Sequence, residues 1–317
     1  MLNCSPHYYP FDTGKYTTSP GLSRLGTQFG NPEADGFVFQ LDQNWEHYLT
    51  NKQQCSDENI RKYYCKSGED KQVIASISKF IANELADAYP NEFKLDHCGL
   101  QTCLKNKLTG ESIIFNENGQ LADNSTYVDV LDALAFQIQE DLAIWQATSQ
   151  GDYMSCIHLC APNHWSPSDK IGRPFSYVHN PVADMDKLHS KYKPMLNSLI
   201  HGSTFVRFAW GLATDTQLNH HPQPPPTIEE PEWHGRYFDA DNPQLYVRVE
   251  RQTLSGFLKE GAVLFTIKTY FEDVNTLNGH RKQQLYSALK SMSEKSIKYK
   301  GLSEEYNEIL DYLKYAR

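Results

Sequence analysis

The sequence predicts an α+β protein, in which a five-stranded antiparallel sheet follows a helical N-terminal extension and precedes C-terminal helices. Two observations lead to this fold class. Apolar runs of strand length recur between residues 142 and 271, and apolar residues spaced by three and four positions occur on both sides of that region. A chain of 317 residues can bury a substantial core around such a sheet.

Three segments have the spacing of amphipathic helices. In residues 71–89 apolar residues recur at three- and four-residue steps, and Pro90 ends the pattern. The same spacing predicts a second helix over residues 127–141. Near the C-terminus a third apolar stripe consists of Tyr306, Ile309, Leu310 and Leu313.

Five segments have the length and composition of strands. They are Leu142–Ala147, Tyr153–Ala161, Ser203–Leu212, Gln244–Leu254 and Ala262–Phe271. Turn-forming residues separate the first two, which predicts a hairpin, and an excursion with helical pieces over residues 166–200 separates the second from the third. This order is the arrangement of a PAS domain, although other α+β domains also produce it.

The same pattern divides the chain into three parts. Residues 1–138 are expected to form a helical and loop region packed on the core, and residues 139–275 to form the PAS-like core itself. Residues 276–317 are polar with helical spacing, and we expect them to form a C-terminal helical segment.

Composition excludes several classes of protein. A net charge of −9 argues against a nucleic-acid partner, which requires a concentrated basic surface. No apolar run approaches the roughly 20 residues of a membrane helix, and the first residues lack the features of a secretion signal. We therefore expect no membrane partner and a cytoplasmic location, with seven free cysteines. Walker A and GxGxxG loops are absent, so no nucleotide site of these types is indicated.

Arg251 lies in an apolar strand. Side chains alternate along a strand, so Arg251 shares a face with Leu245, Val247 and Val249. A guanidinium buried there costs several kcal/mol unless it is paired, which gives two interpretations. Arg251 either reaches out at the strand end or pairs with a structural carboxylate, or it binds a carboxylate of a cofactor through its bidentate fork.

The other face of the same strand carries Arg248 and Glu250. As the solvated side of a sheet, these residues need no function. If that face is covered, Glu250 becomes a candidate partner for a cationic amine. Periodicity does not decide which face is buried.

His179 and Cys160 are the candidate metal ligands. His179 follows an apolar pair and precedes Asn180–Pro181, where the proline restricts the backbone. A lone histidine is more often only a satisfied polar residue. Cys160 is the rival, because a thiolate can bind haem iron, but a cysteine in a strand is usually a small buried apolar residue.

Trp165 and Trp210 are large enough to wall a flat cofactor, although tryptophans more often belong to the core. His220 and His221 begin a proline-rich insert, and we expect both to face solvent.

Three phrases of the sequence together resemble a known family. They are LCAPNHWSPSDKIG at residues 159–172, VHNPV at residues 178–182 and RVERQTL at residues 248–254. Further phrases follow the family's pattern in the same order, so the resemblance spans roughly residues 8–275. On these motifs the chain resembles the haem-dependent oxidative N-demethylase alpha-subunit-like family.

The resemblance implies a function and a set of partners. It implies haem b in a PAS-like domain, O2 as oxidant and a small amine as substrate. It also implies electrons from NADPH that pass through a flavin and an iron–sulfur centre of a partner reductase subunit. The family's pattern places His179 as the axial ligand and metal-binding residue.

The same resemblance places further residues at the site. Arg248 and Glu250 become the candidate catalytic residues, while Arg251, Trp165, Trp210 and Lys170 become cofactor-binding residues. The sequence departs from the pattern at Asn180 and in the proline-rich insert, which leaves the substrate open.

Two other functions remain compatible with the residues. A haem-based gas or redox sensor is the usual role of a haem-binding PAS domain, but no output domain is apparent after the sheet. A binding module without metal is the second alternative, in which His179 and Arg251 have structural roles only.

Overall fold

A computed structural model describes residues 2–68, 70–122, 125–180, 192–234 and 237–315. It confirms an α+β protein, with one large and one small antiparallel sheet. The helices are α1 (Trp45–Tyr63), α2 (Lys71–Ala88), α3 (Val130–Ala135), α4 (Pro167–Lys170), α5 (Phe175–Val178), α6 (Tyr192–His201), α7 (Glu230–His234), α8 (Gly279–Lys290), α9 (Glu294–Tyr299) and α10 (Tyr306–Tyr315). Among the described helices, none is long and apolar enough to cross a bilayer.

The strands of the large sheet are β1 (Ser23–Arg24), β2 (Tyr64–Lys66), β6 (Asp141–Thr148), β7 (Gly151–His158), β8 (Phe205–Ala213), β9 (Tyr246–Phe257) and β10 (Ala262–Asp273). The small sheet contains β3 (Phe93–Cys98), β4 (Gln101–Asn106) and β5 (Ser112–Asn116). Every pairing between these strands is antiparallel.

The large sheet corrects the predicted strand number. Its described strands number seven rather than five, in the order β1-β8-β9-β10-β6-β7-β2. The five predicted strands are the central five, and the hairpin between β6 and β7 is present. β1 and β2 were not predicted, because strands of two and three residues are too short to show an alternating pattern.

The N-terminal region contains more regular structure than predicted. The helix expected over residues 71–89 is present as α2, whereas α1 and the small sheet were not predicted. The helix expected over residues 127–141 is wrong in extent, because α3 ends at Ala135 and β6 begins at Asp141. Asp129 caps α3, with its side chain accepting from the amides of Leu131 and Asp132.

Both faces of the large sheet are covered. One face, the Arg251 face, carries Ile144, Trp210, Arg251 and Lys268, and it packs against the N-terminal region and the C-terminal helices. The other, the His179 face, carries Trp145, Arg207, Glu250 and Val263. It packs against helices α5 and α6. Residues of the three predicted parts therefore pack together in the hydrophobic clusters around this sheet. The boundaries between the parts stay a prediction.

A buried ion pair joins the N-terminal region to the Arg251 face. Lys268 on β10 donates to Asp42 Oδ2 at 2.7 Å and to the carbonyl of Gln40 at 2.5 Å. Both charged side chains are almost completely buried, and burial alone would lower the pKa of Lys268 and raise that of Asp42. The pKa of Asp42 is nevertheless lowered, because Lys268 and the Asn44 amide favour its charged form.

Helix α6 approaches the sheet at a glycine. A Cβ atom at Gly256 on β9 would lie 2.1 Å from the carbonyl oxygen of Leu199 and 2.6 Å from that of Ile200. Real Cβ atoms do not approach backbone so closely, so the position requires glycine for space rather than for an unusual φ. The end of α6 is thereby fixed against the His179 face.

We predict that Gly256→Ala destabilises the fold by about 2–4 kcal/mol, because the methyl group must push the end of α6 from β9. Urea denaturation followed by circular dichroism measures the change. Gly279→Ala is the control, since a Cβ there meets no atom within 4 Å. Equal stabilities of the two variants would contradict the close packing of α6.

Candidate functional site

His179 ends helix α5 on the His179 face. Its Nδ1 lies 3.0 Å from the carbonyl oxygen of Phe175, and its ring stacks on the Phe175 ring at 3.9 Å and lies 6.4 Å from that of Trp145. In the tautomer with its proton on Nδ1, the ring donates to this carbonyl and carries its lone pair on Nε2. Metal-binding histidines commonly have this arrangement. Asp152 fixes the start of α5 by accepting from the Phe175 amide at 2.7 Å.

The rest of the VHNPV motif, Pro181 and Val182, lies outside the described residues. The candidate ligand itself and Asn180 are described. His179 is half-buried.

Arg248 fixes two loops to the His179 face. The side chain is almost completely buried, and its Nη2 donates to the carbonyl of Ala161 at 2.8 Å. Its Nη1 donates to the carbonyl of Leu218 at 3.3 Å. Burial lowers the pKa of Arg248, while the nearby Glu250 carboxylate opposes that shift. Within the described part of the chain, the Arg248 Nε is buried without a hydrogen-bond partner.

Glu250 influences the ionisation of several cations near its face of the sheet. Its Oε2 accepts from the Gln252 amide at 3.0 Å, and the pairing of β8 with β9 puts Arg207 directly opposite Gln252. Lys170 and Lys300 are also close enough for Glu250 to favour their charged forms. This carboxylate is therefore the partner of several positive groups rather than a free anion.

Trp165 and Lys170 belong to the loop that flanks this group. The Lys170 ammonium lies 3.6 Å from the centre of the Trp165 ring, a cation–π contact. Trp165 packs against the apolar cluster that also contains Trp145 and Phe175. Burial lowers the pKa of Lys170 to about 8, against the opposing effect of Glu250. The structure thus brings both residues to the His179 face.

Arg251 and Trp210 lie on the opposite face of the sheet. Arg251 is almost completely buried and donates to the carbonyls of Phe37 at 2.6 Å and Val38 at 3.3 Å. Trp210 packs against Phe11, with ring centroids 5.8 Å apart. The sheet separates both residues from His179, so their roles in binding the same cofactor stay predictions that this arrangement does not favour.

Cys160 belongs to a separate buried cluster with Cys55 and Tyr63. Its Sγ lies 3.9 Å from Nδ1 of His158, whose Nε2 lies 2.9 Å from Asp132. Burial raises the pKa of the Cys160 thiol well above its ordinary value, which favours the neutral thiol over a ligating thiolate.

The Cys160 cluster includes a set of possible metal ligands that the sequence analysis missed. Ligand atoms of Asp141, His158 and Cys160 lie within 4.8 Å of one another, and all three residues are buried. Both Asp141 oxygens already accept backbone amides, from Cys160 at 2.7 Å and Ala161 at 2.8 Å. These bonds give the carboxylate a structural role at the end of β7.

The expectation that His220 and His221 face solvent is wrong. Both are almost completely buried, with exposed fractions of 4% and 2%. His220 Nε2 lies 3.0 Å from Asp215, and the indole of Trp233 donates to the His221 carbonyl at 2.7 Å. Proline content indicated a loop correctly but did not reveal that buried partners, including Arg248, fix its start.

A cavity of about 440 Å³ lies away from these residues, between α2, the end of β5 and the start of α3. Lys66, Lys71 and Tyr127 are among its lining residues. It adjoins residues 123 and 124, which lie outside the described chain, so its shape does not define a site. Most of the candidate residues lie instead on the His179 face.

The chain matches a family model over most of its length. The model described as "Haem-dependent oxidative N-demethylase, alpha subunit-like" matches residues 33–310. The match spans most of the chain, including both covers of the sheet and every candidate residue named above.

We predict that Arg251→Ala lowers the free energy of unfolding by about 2–4 kcal/mol, because two buried carbonyls lose their donor. Urea denaturation measures this change, and the exposed Arg61→Ala is the control. The amount of cofactor bound per folded molecule should not change. A variant of normal stability that loses cofactor would instead identify Arg251 as a cofactor-binding residue.

Proposed function

Because the chain belongs to the haem-dependent oxidative N-demethylase alpha-subunit-like family, we propose that it is the haem-binding component of a monooxygenase. The component oxidises the N-methyl group of a small amine, with O2 as oxidant and electrons from a partner reductase subunit. The observation that carries the proposal is the position of His179, whose ring lies against the Phe175 ring and near the Trp145 ring on the covered face of the sheet.

The residues of the His179 face fit a haem. Trp145 and Phe175 are buried aromatic side chains beside His179, and Leu254 and Phe265 are apolar side chains of the same face that remain half-buried. A porphyrin requires such a flat apolar surface together with polar groups for its two propionates. In the described chain, the buried Nε atoms of Arg207 and Arg248 have no hydrogen-bond partner, so each could donate a hydrogen bond to a propionate.

We further propose that the core is PAS-like and that the cofactor is haem b. The five central strands have the order β7-β6-β10-β9-β8, which supports this proposal. Helices α4 to α6 come between the second and third of these strands along the chain. The cytoplasmic location, and NADPH as the electron source through a flavin and iron–sulfur partner, belong to the same proposal.

The mechanism assigns separate tasks to the protein residues. Bound haem iron supplies the activation of O2. His179 would hold the iron, and the Phe175 carbonyl would fix the ring orientation. Gln252 orients Glu250 through their 3.0 Å hydrogen bond. Trp165, with Lys170 against its ring, excludes water from one side of the site.

We predict that His179→Ala loses the cofactor, or its normal Soret band, because no nitrogen remains to bind the iron. His201→Ala is the matched control. His201 also ends a helix, with its Nδ1 2.8 Å from the Asn197 carbonyl, but its side chain is exposed. Absorption spectra of the purified variants, with and without added imidazole, measure the effect. Wild-type spectra for His179→Ala would contradict the assignment, and a wild type without haem would favour a metal-free binding module.

We predict that NADPH alone does not reduce the isolated chain at a useful rate, because the sequence contains no nucleotide-binding fingerprint. Stopped-flow spectroscopy of the ferric protein measures reduction, and an added flavin and iron–sulfur reductase should accelerate it. Amine-dependent oxygen consumption then distinguishes the enzyme from a gas or redox sensor. Fast direct reduction by NADPH would contradict the proposed electron route.

A further inference from the structure

The centre of the His179 face carries more positive than negative charge. Strand pairing places Arg207 opposite Gln252 and Arg248 opposite Gly211. Arg248 and Gln252 flank Glu250 on the same face of β9. Lys300 lies just after α9, and its side chain crosses β8 at Gly211. A Cβ atom added to Gly211 would lie 3.6 Å from the Lys300 Cδ. The C-terminal segment therefore contributes a cation to a site built mainly from the sheet.

Three of these cations have no carboxylate at contact distance. Among the described residues, Arg207, Lys170 and Lys300 form no salt bridge within 4 Å. Arg248 differs, because backbone carbonyls of two loops accept from its guanidinium. Glu250 is the carboxylate that favours the charged form of all three, and one of its oxygens accepts from Gln252.

Burial makes this imbalance costly. It lowers the pKa of Arg207 and of Lys300, and it lowers the pKa of Lys170 to about 8, even though Glu250 favours the charged form of all three. An anion bound among these groups would favour their charged forms. A lone cationic amine would meet net repulsion in the same place.

We propose that Arg207, Lys170 and Lys300 form a binding site for a carboxylate. The proposal rests on the proposed function, since the ligand is either a haem propionate or the carboxylate of an amino-acid-like N-methylated amine. Glu250 then has a different role from amine binding: it neutralises one positive charge and orders Gln252. The buried Arg207 Nε, without a hydrogen-bond partner among described residues, is one of the donors available to the anion.

The first arm of the test examines the propionates. Wild type, Arg207→Met and Lys300→Met are loaded with haem or with haem dimethyl ester, and release to a haem scavenger is timed. Lys298→Met is the matched control, because Lys298 is two residues from Lys300 and exposed. If the propionates bind here, wild type releases haem dimethyl ester at least about tenfold faster than it releases haem. Arg207→Met then releases the two compounds at similar rates.

The second arm examines the substrate. N,N-dimethylglycine and dimethylamine are titrated into the ferric protein while the Soret band is monitored. A substrate carboxylate at this site gives wild type a preference of about tenfold or more for N,N-dimethylglycine, which Arg207→Met loses and Lys298→Met retains.

Failure of the carboxylate site differs from failure of the proposed function. If neither the ester difference nor the amine preference depends on Arg207 or Lys300, the carboxylate site is wrong, even though haem binds. If the wild type binds no haem, the proposed function is wrong. Calorimetry on the haem-free protein then measures the binding of N,N-dimethylglycine. The carboxylate site predicts that Arg207→Met and Lys300→Met bind it more weakly than wild type and Lys298→Met.

Discussion

The architecture depends on two buried arginines that project from β9 to opposite faces of the sheet. Arg251 binds carbonyls of the N-terminal segment on one face, and Arg248 binds carbonyls of two loops on the other. A buried guanidinium is tolerated only when its donors are used, and backbone carbonyls use them without adding a negative charge. One strand thereby fixes both covers of the sheet.

This arrangement explains what could be predicted from the sequence. The central five strands were recognisable because each is long enough to show its pattern, as is the amphipathic helix α2. The partners of Arg251 could not be predicted. They are the backbone carbonyls of Phe37 and Val38, and every residue has a carbonyl whatever its side chain. Two of the three possibilities for Arg251 gave it a carboxylate partner, whereas in the fold its partners are backbone carbonyls.

The candidate site shows the same division. Alternation along β9 correctly grouped Arg248 with Glu250 and separated both from Arg251. It could not reveal Arg207 or Lys300, because these reach Glu250 from another strand and from the C-terminal segment. Charge balance is a property of the folded site, so the cations around Glu250 could not be counted from its own strand.

The contact of Lys300 with Gly211 has an evolutionary consequence. The lysine side chain crosses β8 in the space that a larger residue at position 211 would occupy. Relatives with a bulkier residue there must therefore shorten or redirect the side chain at position 300. These two distant positions are expected to change together during divergence, and their joint variation would mark subgroups that accept different ligands.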